Sequence, residues 1–465
     1  MSTTAAVAGR RLAARRAELR ALARRSHEVV LLAGVIGILT GFGVAVFDSA
    51  VTSGVDALDR APLWIAAVAP LVGLTVAAIS LRMLGPRSSP ATADEYLHAF
   101  HGPDHALGVR PLLSRMIAGI ATLGSGAPMG LEGPSMYLGA SLGDVLPRRF
   151  PRLFSVRNRR VLLVAGAAAG VAAIFKAPAT GAVFALEVPY QDDLARQMLG
   201  PALVASATGY LAFVAIHGTT PLLEVSGHPA FSFNDLAGAA VLGMLAGGGA
   251  RVFAWMLRRA KEISGRLAAW VRVPAAGVSL AGIFVLARAL SGHNLTTGPG
   301  YDTIRWALQP GHSVWLVCAI LALRCIATST TVAGGGVGGL FIPLVVAGAL
   351  AGRIVGGTAH ALDTSLFTVI GVAAFLGAGY RVPLAGVMFV AEATGRPGFV
   401  VPGLIAAVVA ELMMGPSSVT TYQRPATEPE PAPIAAVAAD GAGHRRGEQA
   451  ISSYTRSLLP RRHPR

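Results

Sequence analysis

The chain has 465 residues, of which 53% are apolar and only 14% are charged, with a mean hydropathy of +0.58. Because soluble domains carry about 25% charged residues, this composition excludes a water-soluble enzyme and indicates a membrane protein. The net charge of +15 does not indicate a nucleic-acid surface, since arginines are concentrated in two terminal segments, residues 10–25 and 424–465.

Residues 1–27 carry the first group of arginines and are predicted to form a cytoplasmic amphipathic helix on anionic lipid. Residues 28–422 follow as an all-α polytopic membrane domain, in which segments such as 29–46 and 63–84 are long enough to cross the bilayer. Other segments are short or interrupted by Gly or Pro, and such backbone is tolerated at membrane depth only when it is buried or lines a wet cavity. The domain is therefore expected to contain a pathway.

Residues 423–465 are rich in Pro, Glu, Ala and Arg, a composition that predicts a disordered basic tail because it cannot bury a core. By the positive-inside rule, the two basic terminal segments predict that both termini are cytoplasmic, in a plasma or inner membrane.

An internal repeat divides the membrane domain into halves of about 28–220 and 235–422. A shift of 209 residues superimposes Arg115, Ile117, Ala118, Thr122, Gly130 and Pro134 on Arg324, Ile326, Ala327, Thr331, Gly339 and Pro343. A shift of 205 residues superimposes Phe175, Lys176, Pro178, Gly181, Phe184 and Glu187 on Tyr380, Arg381, Pro383, Gly386, Phe389 and Glu392. Transporters built from two repeats place their substrate near the repeat interface on discontinuous helices.

The segment 124–134 contains four glycines and two prolines between apolar helices, so a helix is predicted to break there and to restart near Pro134. The unpaired N–H groups and positive dipole end of the new helix attract an anion. The segment 334–343 in the other half is predicted to build the same arrangement. The alternative is that these glycines only allow close helix packing.

Glu132 lies at the start of this helix, and a carboxylate at membrane depth indicates function by default. It could occupy the position of a mobile anion and leave it on protonation, which predicts a gate or proton carrier. The alternative is a structural N-cap.

The runs Gly-x-Glu-Gly-Pro at 130–134, Gly-x-Phe-x-Pro at 339–343 and Phe-x-Ala-Pro-x-x-Gly at 175–181 resemble the CLC family of chloride channels and proton-coupled chloride transporters. The resemblance covers roughly residues 28–422 and is to bacterial-type members without CBS domains. It implies two inverted repeats, a homodimer and one pathway per subunit. It also implies that Glu132 is the external gate and that backbone amides around Gly133, Phe341 and Ile342 bind chloride.

The chain departs from the family pattern at the gate and at two pore positions. Leu131 replaces the Arg or Lys that commonly precedes the gating glutamate. The first filter motif falls near residues 86–90, where either Ser88 or Arg87 takes the place of the filter serine. The pore-lining tyrosine aligns with Thr420, or with Tyr422 if a gap is allowed. Ser88 and Thr420 are therefore the remaining candidate anion-binding residues.

The fourth departure concerns proton coupling. Many transporters of the family carry two adjacent glutamates after the Ala-Pro pair, and here Glu187 matches the first while Val188 replaces the second. Glu187 has a repeat partner in Glu392, so both are interpreted as structural carboxylates. Because a valine cannot carry a proton, we expect a channel-like or weakly coupled anion transporter, most simply for chloride. The alternatives are a fully coupled chloride/proton antiporter and a transporter of another small anion.

Other functional classes are less well supported by the sequence. An intramembrane enzyme using Glu132 as a base would need a second catalytic group or metal ligands, and the histidines show no ligand spacing. A cation transporter would need carboxylates at the repeat interface to bind the cation, whereas this interface is predicted to contain helix N-termini with free amides. The chain is expected to have no enzymatic activity, cofactor, metal or nucleic-acid partner; its expected partners are a small anion, protons and the lipid bilayer.

Overall fold

The computed structural model describes residues 2–85, 89–102, 105–151, 159–223, 225, 231–358 and 364–425, with residues 2–26 and 364 as backbone only. Within these ranges the chain is helical apart from its connections and two isolated backbone bridges. The prediction of an all-α membrane protein is confirmed, since eight of the described helices are long and apolar enough to cross a membrane.

The first half of the described chain contains eight α-helices. They are α1 Ser2–Asp59, α2 Leu63–Met83, α3 Thr92–His101, α4 Val109–Gly124, α5 Glu132–Arg149, α6 Arg159–Phe175, α7 Pro178–Glu187 and α8 Leu199–His217. The second half repeats this order. Its helices are α9 Phe233–Arg266, α10 Ala269–Ser291, α11 Tyr301–Leu308, α12 Val314–Gly334, α13 Phe341–Thr358, α14 Thr364–Tyr380, α15 Pro383–Thr394 and α16 Val400–Met414.

The equivalence of the halves extends to length and packing. Helices α5 and α13 both have 18 residues, α6 and α14 both have 17, and α5 packs on α6 as α13 packs on α14. The same close approach serves both pairs, because a side chain at Gly139 would collide with the carbonyl of Gly166, and one at Gly348 with that of Gly371. Small residues therefore let these helices pack backbone to backbone.

Short helices interrupt each half. Helices α7 and α15 have 10 and 12 residues, too few to cross the hydrocarbon core at 1.5 Å per residue. Each begins with a proline, whose fixed φ suits a first turn. The chain turns sharply before them at Lys176 (φ 52°) and Arg381 (φ 58°), the only non-glycine residues with positive φ in the described chain. The predicted broken helices are thus confirmed.

Three boundaries differ from the sequence-based predictions or extend them. Helix α5 begins at Glu132, two residues before the predicted restart near Pro134, and its first turn accommodates Pro134 because that residue lacks only an N–H that would be unpaired there anyway. Helix α1 runs unbroken across the predicted boundary at residue 27, where its candidate membrane span begins.

At the other end, residues just beyond the predicted boundary at 422 pack against the helices of the membrane domain. The buried Gln423 donates through Nε2 to the carbonyls of Val188 (3.0 Å) and Tyr380 (2.6 Å). The residues of the predicted tail from 426 onward lie outside the described residues, so its disorder stays a prediction.

Candidate functional site

The two halves of the chain meet at a pair of glycines. Gly130 and Gly339 form an antiparallel backbone bridge, with N to O distances of 2.9 Å and 2.6 Å. These residues occupy equivalent positions in the repeat, and antiparallel pairing of equivalent residues requires a local two-fold axis between them. The N-termini of α5 and α13 therefore begin beside each other and come from opposite halves.

The Glu132 side chain spans this junction. It is 2% exposed, and its Oε1 accepts a hydrogen bond of 2.6 Å from the backbone N–H of Phe341 in the opposite half. The backbone N–H groups of Glu132 itself and of Ile342 also interact with this carboxylate. The other oxygen, Oε2, is buried and has no hydrogen-bond partner among the described residues. We call the position that this carboxylate occupies, between the first residues of α5 and α13, the anion site.

Glycines around the anion site make room for the carboxylate. A side chain at either Gly130 or Gly339 would overlap the carboxylate of Glu132. At Gly133 a Cβ atom would lie only 2.8 Å from the Cα of Gly339. Residues of both halves must therefore lack side chains for the carboxylate, or an anion of similar size, to reach the backbone amides.

Aromatic rings exclude water from one side of the anion site. The fully buried Phe341 has its ring centroid 4.3 Å from that of Phe175, 5.3 Å from Phe184 and 5.0 Å from Phe389. In such a low-dielectric environment a hydrogen bond between an N–H group and a negative charge is stronger than in water.

A cavity of about 420 Å³ reaches residues that border the anion site. It ends at Gly338, Gly339 and Leu340, and Thr420 also lines it. The Thr420 hydroxyl lies 3.0 Å from that of Ser418. Ser88, the other predicted side-chain ligand, lies outside the described residues, as does Arg87.

Two residues of this cavity were not singled out from the sequence. Thr92 is buried at the first position of α3, and its Oγ1 has no hydrogen-bond partner among the described residues. Tyr380, at the end of α14, is buried beside the cavity, with its hydroxyl interacting with the N–H of Leu340. The signal for Tyr380 was present in the repeat, where its equivalent is Phe175 and the hydroxyl is the difference.

Tyr422, the alternative pore tyrosine, has a different setting. It is 46% exposed, and its ring stacks on His98 at a centroid distance of 4.9 Å. It lies on the outer part of the same cavity. Arg272 also lines this cavity, donates to the carbonyl of Ser264 (2.8 Å), and has no carboxylate partner in the described chain. Such a cation attracts anions into the cavity.

The two predicted structural carboxylates cap helices of opposite halves. Glu187 accepts the N–H groups of Leu384 (3.1 Å) and Ala385 (2.9 Å) in the first turn of α15. Glu392 accepts the N–H groups of Ala179 (2.9 Å) and Thr180 (2.7 Å) in the first turn of α7, and the Thr180 hydroxyl as well. Each half therefore completes a helix start of the other.

Comparison with known proteins places these features in a family. The family model described as voltage gated chloride channel matches residues 72–415. An H(+)/Cl(−) exchange transporter ClcA of Citrobacter koseri is 28% identical over 410 residues, covering 83% of this chain and 85% of the relative. The ClcA exchange transporter of Salmonella typhimurium is also 28% identical, over 431 residues, covering 86% and 88%.

Solved structures show the same fold. A slow cyanobacterial Cl⁻/H⁺ antiporter superimposes with a TM-score of 0.72 at 21% identity, covering 83% of this chain and 94% of that one. A CLC-type fluoride/proton antiporter gives a TM-score of 0.74 at 23% identity, covering 85% and 98%.

Proposed function

Because the chain belongs to the voltage-gated chloride channel (CLC) family, whose model matches residues 72–415, we propose that it exchanges chloride for protons across the membrane. Anion transport by a multi-pass membrane protein follows from membership of this family, whose members are transporters rather than enzymes. Chloride as the anion and tight coupling to protons are the proposal.

The observation that supports the proposal most directly is the position of the Glu132 carboxylate. Its Oε1 accepts a hydrogen bond of 2.6 Å from the N–H of Phe341. An anion that enters the site would need the same donor. A carboxylate and a chloride ion both carry one negative charge, so they compete for the site. Protonation removes the charge of Glu132 and weakens its hold. Anion binding and proton uptake at this one residue are therefore linked.

The identity of residue 188 alone does not decide between an exchanger and a channel. The expectation of a channel-like protein rested on that side chain, which is buried and apolar. It excludes only a proton path through residue 188. Relatives aligned over more than four-fifths of the chain are named H(+)/Cl(−) exchange transporters, which favours the coupled antiporter that the sequence left as an alternative.

The proposal assigns binding to backbone rather than to charged side chains. We propose that the N–H groups at Gly133, Phe341 and Ile342 bind the anion, with Thr420 on the cavity that leads to them, and that Ser88 takes part in the first filter segment. We propose that residues 28–422 form the transport domain. We also propose that the protein is a homodimer in a cell membrane and that both termini of each subunit are cytoplasmic.

The test is simultaneous measurement of both ions with purified protein in liposomes. A chloride gradient is imposed while potassium and valinomycin hold the membrane voltage at zero, and proton movement is followed with a pH electrode. We expect uphill proton transport opposite to chloride. Glu132→Ala should abolish proton transport and retain chloride transport.

Chloride flux without proton transport in the parent protein would contradict the exchanger and support a channel. Absence of chloride flux, with fluoride transported instead, would contradict chloride as the anion. A Glu132→Ala variant that still moves protons uphill would show that Glu132 is not the coupling residue.

A further inference from the structure

A second cavity, of about 370 Å³, lies at the end of α7 that carries Glu187. Its charged lining residues are Glu187, Asp192, Asp193, Arg196, Arg381 and Glu411. The side chains of Asp192 and Arg196 are 65% and 79% exposed, so the cavity is in contact with water. One turn before Glu187, Phe184 packs against Phe341 at the anion site. The cavity therefore lies between water and the aromatic rings around the anion site.

Glu411 is a carboxylate of this cavity that neither caps a helix nor forms an ion pair with the described residues. It lies half-buried on α16, and its side chain forms no hydrogen bond or ion pair with the described residues. The nearby Arg381 attracts it, but that guanidinium donates to Asp192 (2.7 Å) and to the carbonyls of Gln191 and Gly415. A carboxylate in a membrane domain that nothing neutralises by contact is costly, so its presence calls for a functional reason.

A second carboxylate, that of Glu187, lines the same cavity as Glu411. The charges of Glu411 and Glu187 repel one another. Asp192 adds a further negative charge near Glu411. A carboxylate that is repelled by neighbouring negative charges in a partly buried site binds a proton more readily than an isolated carboxylate does.

The repeat shows that this arrangement is not required by the scaffold. Glu392, the equivalent of Glu187, uses its carboxylate for three hydrogen bonds to α7. When the run from Pro201 is aligned with the run from Pro402, the equivalent of Glu411 is Tyr210. The pair Glu187 and Glu411 therefore occurs at only one of two repeat-related positions, because the other position combines Glu392 with Tyr210.

We propose that Glu411 receives the proton that the exchanger moves, and that it passes this proton to cavity water beside Glu187 on the path to Glu132. The proposal rests on the proposed proton coupling. In the step itself a proton from cavity water forms an O–H bond with a Glu411 carboxylate oxygen. That bond breaks again when the proton passes to a cavity water, which regenerates the carboxylate without transfer of electrons. Helix α7 offers no other titratable group at this point, because Val188 follows Glu187.

The test compares proton and chloride fluxes of Glu411→Gln in the same liposomes. We expect proton flux to fall at least about tenfold, because a proton-transfer group is lost, while chloride flux stays within about twofold. Glu411→Asp, which keeps the titratable group, should restore most of the proton flux. The matched control is Asp193→Asn in the same cavity, because Asp193 is paired with Arg196 at 3.0 Å and is partly exposed. It should leave both fluxes unchanged.

The outcomes separate this inference from the exchanger itself. A parent protein that transports no protons contradicts the proposed function. A coupled parent whose coupling is unchanged in Glu411→Gln overturns the role of Glu411 and leaves the exchanger in place. Loss of chloride flux as well, not restored by Glu411→Asp, would make Glu411 a structural residue and would also overturn the inference.

Discussion

Removal of the Glu132 carboxylate should increase the affinity for chloride, because the side chain competes with the anion for the same backbone donors. A hydrogen bond to a charged group contributes about 1.5–3 kcal/mol, and Glu132 makes one such bond of 2.6 Å to the N–H of Phe341. The apparent affinity of an anion is reduced by the fraction of molecules in which the site is free. Truncation to alanine should therefore tighten chloride binding by roughly 10- to 150-fold.

Calorimetric chloride titration of purified protein at neutral pH measures this change directly. The control is Glu262→Ala on α9, since Glu262 is exposed and paired only with neighbouring arginines on that helix. The control should bind chloride like the parent. Unchanged or weaker binding in Glu132→Ala would refute the reasoning, because it would mean that carboxylate and anion do not share a site.

The remaining predictions concern the same site and its supports. Chloride flux of the parent should rise as pH falls, because protonation frees the site, and Glu132→Gln should make liposome flux independent of pH; a variant as pH-sensitive as the parent would exclude Glu132 as the gate. Phe341→Ala should weaken chloride binding, because water enters the space left by the ring and competes for the site. It should not reverse anion selectivity, because the backbone N–H donor is retained. An unchanged calorimetric affinity would contradict a role of the aromatic rings in chloride binding. Glu392→Gln should lower the thermal midpoint by removing a charged cap from α7, at a cost of about 1.5–3 kcal/mol, with anion selectivity intact; an equal midpoint in scanning fluorimetry would contradict the capping role.

The overall fold was predictable because its signals are local or repeated. Apolar length identified the spans, and identities at Arg, Thr, Pro and Glu revealed the repeat despite ordinary membrane composition. Proline and glycine marked the helix breaks, since these residues impose backbone geometry wherever they occur. The start of α5 was placed slightly late because a proline is compatible with several positions of a first turn.

The surroundings of the anion site were only partly predictable. Glu132 and Phe341 were identified from helix starts, whereas Thr92 and Tyr380 reach the same cavity from helices remote in sequence. The local sequence around Glu411 carries no functional pattern, and only the packing of α16 brings it to the same cavity as Glu187. The proximity of residues that are distant in sequence depends on tertiary structure, which a local sequence pattern does not reveal.

The exchange of carboxylate caps between the halves bears on how such a chain could arise. Glu187 completes α15 and Glu392 completes α7, so neither repeat satisfies its own helix start. Two copies of a single repeat, inserted into a membrane in opposite orientations, would form the same pair of contacts by symmetry, as an isologous interface does. The caps are therefore the contacts expected of a self-complementary pair of repeats that are joined in one chain. Once fused, each copy was free to change alone, and a carboxylate could appear at residue 411 while a tyrosine stands at 210.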